Sequence, residues 1–277
     1  MLKNIAALIL VFILYPATAF CFDVSVSPGT IRQGDVFVVR IKSGEIADPY
    51  GIVGKNKINF HMTSPGNYIG LSSTGIEQPP GNYNIRVHLG NETKTVRIHV
   101  RAIKSKKILI QLPDDKVTLS PEDERRAENE ISIMRAKWLK RTGHLWHGRF
   151  SPPLETAVST KFGILRIING HKKSIHKGVD YRGRRGMRVK AINSGVVSLT
   201  GRQFFGGNTV MIDHGDGIFS IYMHLDKILV KEGQRINRSD VIGLVGSTGR
   251  ATGPHLHLTV KWEGLTVNPL SLFSLPL

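Results

Sequence analysis

The residues best suited to chemistry in this 277-residue chain are histidines, and six of its eleven lie between positions 171 and 257. Two stand one residue apart in "GRATGPHLHLTV", His255 and His257, behind a turn rich in Gly and Thr. In a β-strand, positions i and i+2 point to the same face, roughly 6.5–7 Å apart, so this pair offers two imidazoles to one side of a sheet. His224, in "IYMHLD", also falls on a strand-like run. "SIHKGVDY" adds His176 and Asp180. Gly178 disfavours a helix there, which predicts an extended or turning segment bringing imidazole and carboxylate to a common point.

These types make sense together. Zinc takes neutral imidazole nitrogens and carboxylate oxygens, and hydrolytic sites use three protein ligands with water in the fourth position. Two His and one Asp leave the ion a net charge of about +1, enough to draw the pKa of that water towards about 7. The groups supply four histidines, two more than a three-ligand set containing Asp180 requires, and surplus imidazoles suit proton transfer near neutrality. The residues alone leave open which imidazoles bind and which react. Other hydrolytic patterns are absent: the sequence has no H-E-x-x-H and no G-x-S-x-G, and "GSTGRATG" lacks the G-K-[ST] ending of a P-loop.

Residues 151–277 are expected to form the β domain that positions these groups. "GVVSLT", "TVMIDH", "FSIYMHL", "VIGLVGS" and "HLHLTV" are short apolar runs divided by glycine turns. Gly246, Gly249 and Gly253 are expected to serve tight turns placing the H-x-H strand. Tyr222 is expected to share His224's side, opposite Met223, as a possible substrate contact. His214 reads as structural and His171 as a loop residue. His144 and His147 flank Trp146 without an evident role.

Upstream, residues 22–103 alternate in short strands such as "VFVVRIK" and "NYNIRVHL", separated by Pro/Gly turns, and predict a small sandwich of immunoglobulin type. His61, His88 and His99 fall within these strands without a pairing pattern and read as surface or packing residues rather than ligands. Residues 104–150 form a linker, Lys-rich at its start and carrying Pro113, with a helix at about 121–142. Ser120 caps that helix, Pro121 opens it, acids crowd its start and bases its end, and Gly143 can close it. Ala127, Ile131, Met134 and Trp138 make its apolar stripe.

Residues 1–19 have the make-up of a secretory signal: Lys3, the apolar run "IAALILVFIL", then Ala17-Thr18-Ala19. Cleavage is expected after Ala19 or Cys21. Bulky Phe20 before the sole cysteine, Cys21, argues against a lipid anchor. No other segment approaches transmembrane length, so no membrane anchor is expected after processing. With one cysteine, no internal disulfide forms. An exported chain with formal charge +17 and 40% hydrophobic residues is expected to meet anionic envelope polymers rather than nucleic acid.

The stretch from "STKFGILRIINGHKKSIHKGVDYRG" to "VGSTGRATGPHLHLTVKWEG", about residues 159–264, resembles the M23 family of zinc metallopeptidases, the LytM or lysostaphin-like endopeptidases. The sandwich and linking helix more loosely resemble the N-terminal module of some envelope members. The resemblance implies a mainly β chain with a LytM-like antiparallel peptidase domain and one Zn²⁺ ion. It makes His176, Asp180 and His257 the metal ligands and His224 and His255 the catalytic pair. It implies hydrolysis of peptide bonds in peptidoglycan stems or cross-links, in the periplasm or cell envelope or after secretion. Asn169 occupies the family's "R-x-x-N-G" stretch. With all five metal and catalytic positions filled, an enzyme is expected rather than a non-catalytic relative.

Overall fold

A computed structural model describes residues 22–44, 46–104, 106–111 and 117–277. The signal segment 1–19, both cleavage positions and Pro113 lie outside the described residues.

The chain is mainly β. Nine strands come first: β1 (Phe22–Ser27), β2 (Thr30–Arg32), β3 (Val36–Ser43), β4 (Tyr50–Val53), β5 (Asn56–Asn59), β6 (His61–Ser64), β7 (Asn67–Ser73), β8 (Gly81–Leu89) and β9 (Glu92–Arg101). They form a four-stranded sheet, β1-β3-β7-β6, facing a five-stranded one, β2-β9-β8-β4-β5. Phe37, Val39 and Ile41 of β3 meet Ile85, Val87, Ile98 and Val100 across the interior. The opposite face of the same sheet is also covered. Val36, Val38, Ile69 and Leu71 belong to the core of the C-terminal half. Burial on both faces explains why β3 begins with the unbroken apolar run "VFVV" instead of alternating. Each such side chain contributes roughly 1.5–3 kcal/mol by burial, so the two halves share one continuous core.

The linker is more ordered than expected. Strand β10 (Lys107–Ile110) lies parallel to β12 (Leu165–Ile168), which pairs in turn with β13 (Lys172–Ile175), building a three-stranded sheet. Helix α1 spans Pro121–Trp138, with Ser120 as N-cap accepting from the Asp123 amide at 3.1 Å. It stops four residues before the expected end at 142, and Leu139 rather than Gly143 follows it as C-cap. The chain turns away there because Thr142 donates to the Asp213 carboxylate at 2.9 Å. The expected stripe is also narrower. Ala127 and Met134 are buried and Trp138 packs beside them, but Ile131 is 48% exposed. The helix touches Leu199, Met211, Phe219 and Ile221 along one line, leaving Ile131 at the rim of a 220 Å³ apolar pocket.

The remaining strands are β11 (Val158–Thr160), β14 (Val179–Arg182), β15 (Arg188–Lys190), β16 (Gly195–Gln203), β17 (Gly207–Asp213), β18 (Ile218–Ile228), β19 (Arg235–Ile236), β20 (Val241–Val245), β21 (His255–Trp262) and β22 (Leu265–Val267). All belong to one ten-stranded antiparallel sheet, whose main order is β11-β14-β21-β18-β17-β16-β19. A short helix, α2 (Pro269–Phe273), not anticipated from periodicity, anchors the sandwich: its Ser271 hydroxyl accepts from the Val36 amide at 2.8 Å. Asn268 at its N-cap donates to Asp35 Oδ1 at 2.7 Å. Among the described residues no helix is long and apolar enough to cross a membrane.

Candidate metal centre

Strand pairing assembles the site. In β21, Leu256 and Leu258 are fully buried on the core side, which turns His255, His257 and Thr259 to the other face. The antiparallel register sets Asp180 of β14 opposite His257 and Arg182 opposite His255. His176, just ahead of β14, is held by its own amide donating to the Ile164 carbonyl at 2.8 Å. Gly178 lets that segment approach: a Cβ there would lie 2.6 Å from both His257 Nε2 and the Leu258 carbonyl. Gly249, at φ +71, is likewise pressed against the 206–207 backbone, and a Cβ on Gly246 would collide with Asp226. Gly253 departs from expectation, since open space surrounds it and its φ is ordinary. Its contribution is a carbonyl, which accepts from His255 Nδ1 at 2.8 Å.

Three potential ligand atoms converge. Asp180 Oδ1 lies 2.6 Å from His257 Nδ1 and 3.0 Å from His176 Nε2, and the two nitrogens are 3.1 Å apart. The outer nitrogen of each ring is already committed. His176 Nδ1 donates to the Lys161 carbonyl at 2.9 Å. Thr259 gives its hydroxyl proton to the Lys177 carbonyl at 3.2 Å, so it must accept from His257 Nε2 at 2.9 Å. When both rings are neutral, their inner nitrogens present lone pairs to a carboxylate oxygen. Three electron pairs facing one point need a cation among them. Two imidazoles and one carboxylate, buried and with outer nitrogens anchored, fit a zinc-type ion.

Electrostatics agrees with that donor set. Burial pushes Asp180 up, but cationic His176 and His257 rings would reverse this by hydrogen bonding and charge and hold the carboxyl well below its usual range, and a metal ion among neutral rings supplies the same positive charge. Its other oxygen, Oδ2, accepts from Arg166 at 2.6 Å. Burial lowers His257, against the pull of Asp180, and so favours its neutral form. Arg166, Thr259 and the Thr248 carbonyl are partners that sequence reasoning missed. Arg166 stands in the same "R-x-x-N" stretch as Asn169, and that was its only signal. Asn169 itself occupies the β12–β13 turn at φ 49, where its carbonyl accepts from the exposed His171 ring.

His224 and His255 flank the cluster. Their ring centroids are 4.8 Å apart, and His255 Nε2 is 4.0 Å from Asp180 Oδ1. His224 Nδ1 donates to the Thr248 carbonyl at 2.8 Å, leaving Nε2 of each ring with its lone pair. Burial, then the neighbouring His257 and His255, lowers His224 to about 3. Its φ of 63° is costly for a side chain of this size and breaks the strand's alternation. Tyr222 and Leu225 consequently both face the core. Tyr222 is thus not a substrate contact: it is fully buried, and its hydroxyl accepts from the Ile192 amide at 2.9 Å. His214 is buried too, with Nδ1 on the Ser194 carbonyl and Nε2 bonded to the Ser220 hydroxyl, both at 2.7 Å.

The cluster opens into a cleft of about 1100 Å³, walled by Ile108 and Ile110 of β10 on one side and by residues 250–254 on another. Arg166, Arg182, Arg184 and Arg250 also line it. An antiparallel β scaffold thus holds a two-histidine, one-carboxylate donor set that could bind a metal ion beneath two further imidazoles. Residues 174–269, which include all five of these side chains, match the model of Peptidase family M23.

Relatives agree. The chain is 40% identical over 121 residues to a DD-carboxypeptidase/endopeptidase of Neisseria meningitidis, a match covering 44% of this chain and 28% of that protein. It is 44% identical over 114 residues to a peptidoglycan DD-endopeptidase of Vibrio cholerae, covering 41% of this chain and 26% of the relative. It thus spans little more than a quarter of the length of these curated relatives. A crystal structure of a putative M23 peptidase from Pseudomonas aeruginosa superposes with TM-score 0.68 at 28% identity, over 87% of this chain and 94% of that one.

Proposed function

We propose that the protein is a zinc-dependent endopeptidase acting on the peptide part of bacterial peptidoglycan. The observation that carries this reading is the convergence of His176 Nε2, Asp180 Oδ1 and His257 Nδ1 beneath His224 and His255. In this reading His176, Asp180 and His257 hold one Zn²⁺. A zinc ion held there would supply Lewis acidity to the scissile carbonyl and lower the pKa of water towards neutral pH. The chain's own groups handle protons and charge. His224 is neutral because it is buried, and its free Nε2 accepts a proton while the Thr248 carbonyl fixes its tautomer. His255, anchored on the Gly253 carbonyl, adds a second imidazole 4.8 Å away to pass that proton to the leaving amine. Arg166 keeps Asp180 oriented from behind.

Arg182, Arg184 and Arg250, which also line the cleft, suit a substrate with carboxylates, as peptidoglycan stem peptides have. An envelope location follows from that substrate, and the signal-like segment 1–19 supports export. The domain division proposed with this reading is 22–103 a sandwich, 104–150 a linker and 151–277 the peptidase domain. The strong positive charge supports a hold on anionic envelope polymers.

The test is digestion of purified peptidoglycan by zinc-loaded protein, beside His255→Ala and His257→Ala. Release of peptide fragments by the parent protein alone is expected. Equal digestion by both variants would overturn the assignment.

A further inference from the structure

A second cluster of histidine and carboxylate lies outside the lining of the cleft. His61, on β6 of the N-terminal sandwich, stacks on His144 with ring centroids 3.8 Å apart. Asp216 closes the group: its Oδ2 is 2.7 Å from His144 Nδ1 and 3.7 Å from His61 Nδ1. The ligand atoms of all three residues lie within 4.8 Å of one another. Ligands at zinc's bond length of about 2.0–2.1 Å stand roughly 3.3 Å apart in a tetrahedron, a value the two measured distances bracket.

We propose that His61, His144 and Asp216 form a second, structural zinc site that clamps the sandwich to the C-terminal half.

Three further features favour an ion here. The side chains are 19–27% exposed, so the site is mostly dehydrated yet within reach of a water that would complete four-fold coordination. The Trp146 indole donates to Asp216 Oδ2 at 3.0 Å and meets both imidazoles edge-on, which orients the carboxylate and walls one side. Asp213 and Glu263 lie near the group, their carboxyls raised mainly by burial and further by the Asp216 charge, so negative charge gathers here in a chain of net charge +17. Arg141 on Glu263 and Lys140 near Asp213 offset only part of it. The donors come from both halves, so the site exists only while they are docked. An ion bound there stabilises that docking.

Zinc content decides the matter. Untagged full-length protein is stripped with chelator, loaded with excess Zn²⁺, freed of unbound metal and measured by elemental analysis. Two ions per chain are expected for the parent, one for His61→Phe, one for His257→Ala and none for the double variant. His61→Phe keeps an aromatic ring in the stack. Should it fail to fold, Asp216→Asn serves, because Asn tolerates the φ of 51° at that turn. Asp216→Asn in the His257→Ala background is expected to bind Zn²⁺ roughly tenfold or more weakly. One ion in the parent and none in His257→Ala would overturn the second site. So would Zn²⁺ affinity in the His257→Ala background that Asp216→Asn leaves unchanged. One ion in the parent, kept in His257→Ala and lost in His61→Phe, would uphold this site and count against the cleft site instead.

Discussion

The two histidine–carboxylate clusters contain the same side-chain types in the same ratio, yet the chain builds them differently. In the cleft, Asp180 and His257 are register partners on adjacent strands of one sheet, and His176 is four residues from Asp180. The outer nitrogens of His176 and His257 are fixed by a carbonyl and a hydroxyl. At the interface, the three donors come from a sandwich strand, a post-helix segment and a β-turn, and meet only through docking. Preorganisation of the first kind suits catalysis, which needs reactive geometry at all times. A site of the second kind suits stabilisation, because binding and docking reinforce each other.

The largest effects are expected where the comparison is sharpest. His257→Ala and Asp180→Ala should reduce peptidoglycan hydrolysis to background, a loss of about 10³-fold or more, measured as peptide released per enzyme. Residual activity near the parent's would remove the cleft cluster from the chemistry. His224→Ala and His255→Ala should each lose about 10²–10⁴-fold while cleft zinc, measured by elemental analysis, stays bound. Loss of that metal instead would turn these two imidazoles into ligands.

A subtler change tests preorganisation itself. Thr259→Val removes the acceptor that fixes the His257 tautomer and should weaken zinc at the cleft by about 10–100-fold, with activity recovered at saturating zinc. Zinc titrations matching the parent's would show that the tautomer needs no such anchor.

The smallest effect concerns the frame of the interface turn. His214 is buried, and burial lowers it to about 4 from its ordinary 6.5. Between those values the unfolded chain binds a proton that the folded one refuses. Its contribution to stability is thus present above pH 6.5 and lost as pH falls towards 4, on the order of 3 kcal/mol. Urea unfolding of metal-stripped protein should show this slope, reduced in His214→Asn. Identical slopes would assign the acid sensitivity elsewhere.

How much of this was legible depended on distance along the chain. His255 and His257 share a strand face by simple alternation, and His176 and Asp180 sit close together in sequence. The division of labour among the imidazoles came from resemblance, because spacing carries no tautomer. Tyr222 misled, since strict alternation from His224 fails where a left-handed residue interrupts the strand. Ile131 misled because a helical stripe does not say how wide a surface receives it. His61 and His144 gave no local signal at all: 83 residues separate them, and only the second buried face of β3 explains why they meet. That face was readable in "VFVV", as a run too apolar for one-sided burial.

The most direct test is mass spectrometry of muropeptides after metal-stripped protein is incubated with cross-linked peptidoglycan, before and after zinc is restored. The account predicts that cross-linked species stay intact without metal and gain one water per cut bond with it, in the parent but not in His257→Ala. Zinc-independent cleavage, or cleavage that survives in His257→Ala, would contradict it.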